Sequence, residues 1–346
     1  RRSGIIGSDK PIDKDNHCFD DQTDILTMRG WVPFAELSPE DKVATRAPDG
    51  FIEYQYPTEC IKSWYEGLLY SYIGGNANFA VTPEHRLFAT NQYSAGGWKK
   101  HPAYDGRQRM PDWSFVTAEE FAHPIVDRKK GAYQYVLAGS PRGTTRDLLP
   151  LSPSRPATPY LGQSMYLSRV AQWKGHHPES LAFVYARHGR PITIDVPFIA
   201  LARFMGFWLS DGSRSRSRYQ VVVDQKNHVK EAEAIVAALG LNYHKWVNKD
   251  SGVTRFAIQC KDFYHFFDGL GTAHTKRVPR LFLDAGTEAL SALLEGFQVG
   301  DGSLDKHGMP FFSSVNSKLL SDLQEAAFKL GMPTNLLSYQ YAPSES

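Results

Sequence analysis

The sequence contains an internal duplication, and this feature limits the possible folds more than any other. Two long apolar segments, FIALARFMGFWLS and EALSALLEGFQVG, end at the tetrapeptides SDGS (210–213) and GDGS (300–303). Each tetrapeptide precedes a strand pattern and then an amphipathic helix pattern that stops at Leu-Gly, within 228–241 and 318–332. The aspartates of the two copies (211 and 301) are 90 positions apart, and the two glycines (240 and 331) are 91 apart. Agreement over so many elements indicates two halves with the same fold.

The two apolar segments are predicted to be buried helices that pack against each other. We expect Asp195 to cap the first helix, which has Pro197 in its first turn, and Thr287 to cap the second. Both segments are apolar on nearly every face, which is typical of buried helices. A glycine inside a helix costs about 1 kcal/mol relative to alanine. Gly206 and Gly296 therefore predict a place where two helix backbones approach closely.

Asp211 and Asp301 are the candidate metal ligands. A single Asp-Gly at a helix end is usually only a cap and a turn, but the duplication supplies two. A carboxylate at a helix C-terminus faces the negative end of the helix dipole. If the two helices pack side by side, their carboxylates become neighbours and need a cation. Mg²⁺ (or Mn²⁺) fits this requirement and would support phosphodiester hydrolysis.

The segments FMGFWLSDGS and LLEGFQVGDGS resemble the two motifs of LAGLIDADG homing endonucleases, and the resemblance covers about residues 196–341. It implies an α+β domain over 196–346 with two pseudo-symmetric repeats, 196–270 and 287–346, the second incomplete. The curved sheets of the repeats would straddle the major groove of double-stranded DNA. The same resemblance implies that Asp211 and Asp301 bind the metal, assisted by the carbonyls of Ser210 and Gly300.

A further block, HTKRVPRLF (274–282), resembles the segment that precedes the second motif in intein-borne members of this family. The resemblance places a lysine at Lys276, where it would stabilise the charge that develops at the scissile phosphate. An ordinary phosphate or surface contact is the alternative for this lysine. Trp208 and Gln298 depart from the family motifs at positions that tolerate variation.

Basic residues are concentrated in residues 128–218, where 14 Lys and Arg face 4 Asp and Glu, although the whole chain carries a net charge of only +2. Interleaved aromatic residues suit a surface that lies along phosphates. A solvated loop region is an equal alternative. Residues 141–195, rich in Pro, Gly, Ser and Arg, are predicted to be a basic linker or DNA-recognition arm. The predicted DNA contacts are Lys129, Lys130, Arg142, Arg146, Arg214, Arg216 and Arg218.

Residues 18–140 are predicted to form an all-β domain of short strands, with 33–37 and 117–121 as candidates for short helices. Strand patterns over 43–46 and 51–56 flank Ala-Pro-Asp-Gly and predict a hairpin. Cys18 opens this domain, and VTPEHRLFAT follows at 81–90. A cysteine near the start and a later Thr-x-x-His in a β-rich context are similar to the Hint fold of inteins and Hedgehog autoprocessing domains.

The Hint resemblance implies that the Cys18 thiol attacks the carbonyl of His17 and converts the peptide bond into a thioester. His85 would protonate the departing amide nitrogen, and Thr82 would orient His85 or the scissile peptide. Residues 1–17 would then be host sequence, an N-extein, and DKPIDKDNH within it faintly resembles the tail of phage large-terminase subunits. Taken singly, an inert buried thiol and a structural histidine are the alternatives for Cys18 and His85.

The length of 346 residues suggests a multidomain chain of two or three domains. Intein splicing also needs a C-terminal block with a histidine and a His-Asn end, whereas this chain ends in APSES. We therefore expect a chain cut short within the second repeat, with a split intein as the alternative. Such a chain would form the thioester without splicing alone. The host protein would flank the element in cis.

Cys18, Cys60 and Cys260 form no C-x-x-C pair, which argues against a disulfide framework or zinc site and favours a reducing compartment. No apolar run is long enough to span a membrane and no signal-peptide pattern opens the chain, so we expect a cytoplasmic monomer. The leading hypothesis is an intein that carries a Mg²⁺-dependent homing endonuclease. The alternatives are an autoprocessing element whose second half is only a DNA-binding remnant, and an RNA-splicing cofactor of the LAGLIDADG type.

Overall fold

The computed structural model describes residues 2–4, 18–47, 51–73, 78–92, 113–122, 126–127, 131–132, 134–137, 148–150, 173–187, 190–304, 310–332, 334 and 336. The chain divides into two compact units, one formed by residues 1–172 with 331–346 and the other by residues 173–330. Within the described ranges, no helix combines the length and the apolar character that crossing a membrane requires.

The first unit consists mainly of short antiparallel strands. Its described elements are β1 (Arg2–Gly4), β2 (Asp24–Thr27), β3 (Gly30–Pro33), β4 (Val43–Arg46), β5 (Ile52–Gln55), β6 (Ser63–Tyr65), β7 (Tyr70–Ile73), β8 (Asn78–Val81), β9 (Arg86–Gln92), β10 (Trp113–Thr117), α1 (Ala118–Ala122), β11 (Val126–Asp127), β12 (Gly131–Ala132), β13 (Gln134–Leu137) and β14 (Leu148–Pro150). They form sheets of order β3-β2-β4-β5, β14-β7-β8 and β10-β9-β13, and the pairs β1-β6 and β11-β12. Leu26, Phe79 and Leu87 are fully buried in this unit.

The local predictions for this unit agree with the structure. β4 and β5 pair as the antiparallel hairpin that the sequence predicts, with Val43 opposite Gln55. The two predicted helical segments become a 3-10 turn at Phe34–Glu36 and the helix α1. These features depend on short-range signals, turn residues and alternating apolar positions, which explains why the sequence was sufficient.

The second unit contains the duplicated segments. Its described elements are β15 (Ser180–Arg187), β16 (Arg190–Pro197), α2 (Phe198–Asp211), β17 (Gly212–Ser215), β18 (Gln220–Gln225), α3 (Val229–Ala237), β19 (Tyr243–Val247), β20 (Thr254–Gln259), α4 (Lys261–Phe266), α5 (Arg280–Leu283), α6 (Thr287–Asp301), β21 (Gly302–Leu304), β22 (Pro310–Phe312) and α7 (Ser317–Lys329). Each duplicated half therefore has the order helix, strand, strand, helix. The first half forms the sheet β17-β18-β20-β19, and the second half forms the pair β21-β22.

Three expectations for this unit were wrong. Residues 180–187 and 190–195 belong to the paired strands β15 and β16 instead of a linker or arm, because Phe183 and Val196 on these strands are buried in the core. Asp195 is an exposed strand residue, and α2 begins after Pro197 without a side-chain cap. The second helix begins one residue earlier than expected, with Gly286 as its N-cap.

The helices α2 and α6 pack against each other through their glycines. A Cβ atom on Gly206 would lie 1.9 Å from the carbonyl oxygen of Leu293, and one on Gly296 would lie 1.8 Å from the carbonyl oxygen of Arg203. The two contacts are reciprocal, since each glycine meets the residue three positions before the other glycine. This is the close backbone approach that the sequence predicted, and the reciprocity gives the helix pair a local two-fold symmetry.

Candidate active site

The packing of α2 against α6 brings their C-terminal ends, and with them Asp211 and Asp301, to the same place. A Cβ atom at Gly300 would lie 1.8 Å from Ser210 Oγ and 2.9 Å from Asp211 Oδ2. Ser210 Oγ donates to the carbonyl of Phe207 at 2.7 Å, which keeps this hydroxyl against its own helix. Glycine fits at position 300 without a shift, whereas a larger residue would require the Ser210 side chain at the end of the other helix to move.

The two carboxylates lie in an environment that disfavours their ionised forms. Burial, and then the neighbouring carboxylate of Asp301, raise the pKa of Asp211 to about 6, while Lys276 opposes this shift. Burial also raises the pKa of Asp301, and Lys276 again acts in the opposite direction. A pair of neighbouring, partly desolvated carboxylates is stabilised by a bound cation.

Lys276 holds the end of α2. Its Nζ donates to the carbonyls of Trp208 at 2.7 Å, Leu209 at 3.2 Å and Gly212 at 2.8 Å, and lies 4.4 Å from the centre of the Trp208 ring. Burial lowers the pKa of Lys276 to about 8, and the two nearby aspartates oppose the shift. All three ammonium protons therefore have backbone acceptors. In this arrangement the lysine positions the helix end that carries Asp211.

The two positions that depart from the family motifs make equivalent contacts. Trp208 Nε1 donates to the carbonyl of Ser213 at 3.2 Å, and Gln298 Nε2 donates to the carbonyl of Ser303 at 3.4 Å. In both halves the bond spans five residues across the Asp-Gly turn. The Trp208 indole and the Gln298 amide thus have the same structural role, because each donates an N–H to the carbonyl five residues later.

Gln225, at the end of β18, is a site residue that the sequence analysis missed. Its Nε2 donates to the carbonyl of Val299 at 2.9 Å and to Asp211 Oδ2 at 3.5 Å, and its Oε1 accepts from the amides of Lys226 and Asn227. The side chain is buried. One amide therefore connects the first-half sheet, the carboxylate and the second-half helix. A buried-side position of the strand that carries an amide, two residues after Val223, was the available signal.

The donor atoms at this site suit a hard divalent cation. Asp211 and Asp301 offer carboxylate oxygens, and Ser210 and Gly300 offer carbonyl oxygens beside them, which are the ligand types that Mg²⁺ prefers. Within the part of the chain that the structure describes, no group of three or more His, Cys, Asp or Glu could enclose a metal. The remaining positions around such an ion would be taken by water and by phosphate oxygens of a substrate.

The predicted DNA-binding arginines near the first motif differ in their surroundings. Arg214 pairs in register with the buried Val221 and forms an ion pair with Asp268. Its guanidinium also lies 4.8 Å from the Tyr264 ring, so it is engaged on the helix side of the sheet. Arg216 and Arg218 are exposed, and an open groove of about 300 Å³ is lined by Arg218, Gln220, His244, Trp246 and Gln259. Lys129, Lys130, Arg142 and Arg146 lie outside the described residues.

The structure also brings together the three predicted residues of the first unit. The amide of Cys18 donates to Thr82 Oγ1 at 3.1 Å, and the amide of Thr82 donates to the carbonyl of Cys18 at 3.0 Å. His85 belongs to the same turn, since its amide donates to the carbonyl of Thr82 at 3.1 Å. All three residues are buried. Burial raises the pKa of the Cys18 thiol to about 11, so the thiol is protonated at neutral pH. His17 lies outside the described residues.

No protein-family model matches the chain. Short segments are similar to parts of three curated proteins. They are an ATP-dependent Clp protease proteolytic subunit of Chlamydomonas moewusii (36% identical over 72 residues, 20% of this chain and 7% of that protein), a DNA-directed RNA polymerase subunit beta C-terminal section of Stigeoclonium helveticum (31% over 81 residues, 23% and 8%) and a ribonucleoside-diphosphate reductase subunit beta of Aquifex aeolicus (33% over 95 residues, 27% and 14%). The chain therefore spans at most 14% of the length of these relatives.

Two solved structures of the homing endonuclease I-DmoI are similar to part of the chain. I-DmoI in complex with DNA and Ca is 17% identical with a TM-score of 0.30, covering 39% of this chain and 73% of that one. A structure of mesophilic I-DmoI variants is 19% identical with a TM-score of 0.29, covering 39% and 78%. A likeness at this level assigns no residue a role, so the functional conclusion rests on the geometry of the site.

Proposed function

We propose that the protein is a LAGLIDADG-type homing endonuclease that makes double-strand cuts in DNA with Mg²⁺ or Mn²⁺, carried by an intein. The observation that carries the proposal is the pair Asp211 and Asp301 at the joined ends of two helices related by a duplication. The two strands of a DNA duplex are themselves related by local two-fold symmetry. A two-fold protein with one carboxylate in each half therefore matches a reaction that must cut both strands.

The side chains around the pair have separate tasks in this reaction. Asp211 and Asp301 would hold the cation, with the carbonyls of Ser210 and Gly300 beside them. The bound ion would supply an activated water and stabilise the leaving oxygen. Gln225 orients Asp211 against α6, and Lys276 holds the end of α2 through three carbonyls. The lysine also adds one positive charge beside the carboxylates.

The curated relatives support the placement of this endonuclease within an inserted element. A protease subunit, a polymerase subunit and a reductase subunit have no activity in common, yet each is similar to a segment of this chain. Short similarities to proteins of three unrelated activities do not carry those activities to this chain. Such a distribution is the one expected of an element that inserts into different hosts.

For the first unit we propose a Hint-type thioester reaction at the His17–Cys18 peptide. The Cys18 sulfur would attack the carbonyl carbon of His17, so that a C–S bond forms and the C–N bond breaks. The thiol gives up one proton and the released amine gains one, with His85 as the donor to the leaving nitrogen. The two hydrogen bonds between Cys18 and Thr82, one to the threonine hydroxyl and one between backbones, support this role, because they hold the cysteine amide beside the turn that contains His85.

Cleavage of DNA is tested with the purified full chain, Mg²⁺ and a plasmid that carries the uninterrupted insertion site. We expect double-strand cleavage that falls at least about 100-fold in Asp211→Asn and in Asp301→Asn. Asp250→Asn, in an exposed turn, is the matched control and should cut normally. If the natural protein binds the plasmid but leaves it intact with either metal, the proposal of an active endonuclease is refuted.

The thioester is tested by adding a small thiol to the full chain and following the release of residues 1–17 by mass spectrometry. We expect release from the natural sequence, none from Cys18→Ala, and normal release from the matched control Cys60→Ala. Release that persists in Cys18→Ala would show ordinary hydrolysis or proteolysis. A chain that stays intact in thiol would contradict the proposed reaction.

A further inference from the structure

We propose that Arg255 reads a guanine in the major groove of the DNA target, and that Asp224 holds its guanidinium in the reading position. The inference rests on the proposed endonuclease function and deepens it by assigning one base contact. Arg255 and Asp224 lie on the face of the β17-β18-β20-β19 sheet that is turned away from the helices.

The alternation along the strands defines this face. Val221, Val223, Phe256 and Ile258 are buried in the core on the helix side. The residues between them therefore point the other way. These residues include Gln220 and Asp224 on β18, Arg255 and Gln259 on β20, and His244 and Trp246 on β19. A face with amide, imidazole, indole and guanidinium groups offers the hydrogen-bond donors and acceptors that base edges require.

The Arg255 side chain is fixed by two bonds to one carboxylate. Asp224 lies directly opposite Arg255 in the strand register, and Arg255 donates from Nε to Oδ1 and from Nη2 to Oδ2, each at 2.6 Å. Trp246 lies opposite Arg255 on the other side, with its ring centre 5.9 Å from the guanidinium carbon. These neighbours hold the guanidinium in one orientation.

The donors that Asp224 leaves unused match guanine. A guanidinium has five N–H groups, of which this carboxylate takes two. The outer edge then presents one N–H from Nη1 and one from Nη2 side by side. Guanine presents its O6 and N7 acceptors in the major groove at the spacing of this edge, and no other base offers two adjacent acceptors there.

The charge of the pair favours a base contact over a phosphate contact. Arg255 and Asp224 are partly exposed, 46% and 31% of their side chains, so their ion pair contributes little to stability. Together they are neutral, whereas phosphate contacts draw affinity from uncompensated positive charge. The ion pair fixes the guanidinium before DNA binds, which lowers the conformational entropy lost on binding. Since the pair adds little stability and no net charge, this preorganisation is its main contribution.

The pair lies beside the proposed catalytic centre. Asp224 is followed by Gln225, whose amide donates to Asp211. The guanine that Arg255 contacts should therefore belong to the base pairs nearest the cut, which makes Arg255 a specificity-determining residue.

The test is a selection of bound duplexes from a random DNA library by the full chain, in EDTA and in parallel with Ca²⁺. The natural protein should select a site with a guanine at one position near its centre. Arg255→Lys keeps the positive charge but loses the two adjacent N–H donors. We therefore expect the preference for guanine over the other bases at that position to fall by about 10-fold to 100-fold. The base preferences at all other positions should stay the same. Asp224→Ala should weaken the preference for guanine at the same position.

Lys245→Ala is the matched control. Lys245 also forms an ion pair, with Glu233 at 2.6 Å, and its exposure is similar to that of Arg255. It lies between His244 and Trp246 on β19, so its side chain points to the opposite face of the sheet. Its selected site should equal that of the natural protein. Equal weakening of all sequences in Arg255→Lys would identify a phosphate contact and overturn the inference. An unchanged site in Arg255→Lys would overturn it as well. If the natural protein selects no sequence at all, the proposed endonuclease function fails, which is a separate result.

Discussion

At the scale of single residues, Asp211 shows that a site suited to a cation lowers the stability of the folded protein when no cation is bound. Burial and the Asp301 carboxylate raise its pKa to about 6. A carboxyl group whose pKa is higher in the folded state stabilises the fold at pH values below its unfolded pKa, near 4. This stabilisation is lost as the pH rises through about 6. At neutral pH the ionised carboxylate therefore opposes folding unless a cation is bound.

The first prediction follows from this linkage. Asp211→Asn should raise the melting temperature at pH 8 in EDTA, because it removes a disfavoured charge. Solvent screening limits the gain to about 1 kcal/mol, or about 2–4 °C for a unit of this size. Thermal unfolding followed by fluorescence at pH 4.5 and pH 8 measures it. The gain should shrink at pH 4.5, and a variant that melts at a lower temperature than the natural protein at pH 8 would contradict the linkage.

Lys276 shows at the same scale that a motif residue can have the expected neighbours and also contacts that the sequence did not reveal. The resemblance assigns it to the charge at the scissile phosphate, and it does lie near both aspartates. Its three bonds to backbone carbonyls, however, make it a positioning residue for the end of α2. The carbonyls at a helix end need such partners when they are buried.

At the scale of elements, the pairing of α2 with α6 depends on Gly206 and Gly296. A Cβ atom at either position would lie within 2 Å of a backbone oxygen of the other helix. Backbone oxygens cannot rotate away as side-chain atoms do, so the helices would have to separate. Separation would also move the two aspartates apart, which links the packing of these elements to the activity of the site.

The second prediction concerns this helix pair. Gly206→Ala should destabilise the protein by about 2–3 kcal/mol through overpacking, although alanine is the better helix former by about 1 kcal/mol. DNA cleavage should fall with it. Urea unfolding measures the change, with Glu288→Ala on the exposed first turn of α6 as the control. Equal or greater stability of Gly206→Ala would mean that the two backbones are farther apart than the structure has them.

At the scale of the whole molecule, the two halves share an order of elements but attach their second helices differently. In the first half α3 buries apolar residues, Ala232, Ile235 and Val236. In the second half α7 buries Glu325 and Lys329, which pair with each other at 2.8 Å. Arg280 also donates to the Glu325 carboxylate, at 2.8 Å and 2.9 Å. The second helix of the second half thus buries an ionic network in addition to apolar residues such as Leu319 and Leu323.

The third prediction compares ion pairs in the two halves. Glu325→Ala should destabilise the protein by about 3–5 kcal/mol, because it removes the buried carboxylate that pairs with both Lys329 and Arg280. Glu233→Ala removes an exposed partner of Lys245 and should cost far less, because solvent screens the pair. Urea unfolding of both variants under the same conditions gives the difference. Similar costs for the two would show that the buried network contributes no more than a surface pair.

The sequence was sufficient for features that depend on local order or on the repeat. The duplication predicted the pairing of α2 with α6 and the proximity of Asp211 and Asp301, because equivalent residues in two-fold halves meet at the axis. It did not predict Gln225 or the bonds of Lys276. Gln225 reaches Val299, 74 positions away, and Lys276 reaches Trp208, 68 positions away. Neither pair consists of equivalent residues of the two repeats, so the duplication carries no information about these partners.

The sequence by itself therefore determined the two helices, the matched carboxylates and the β-rich character of the first unit, since these follow from periodicity, glycine and turn residues. Only the tertiary structure decided what surrounds the carboxylates. It placed Gln225 between the halves, turned Arg214 toward the helices and set Arg255 against Asp224 on the opposite face of the sheet. The reason is physical: burial, pKa and hydrogen-bond partners depend on which distant segments pack together, and that choice is made by the whole core.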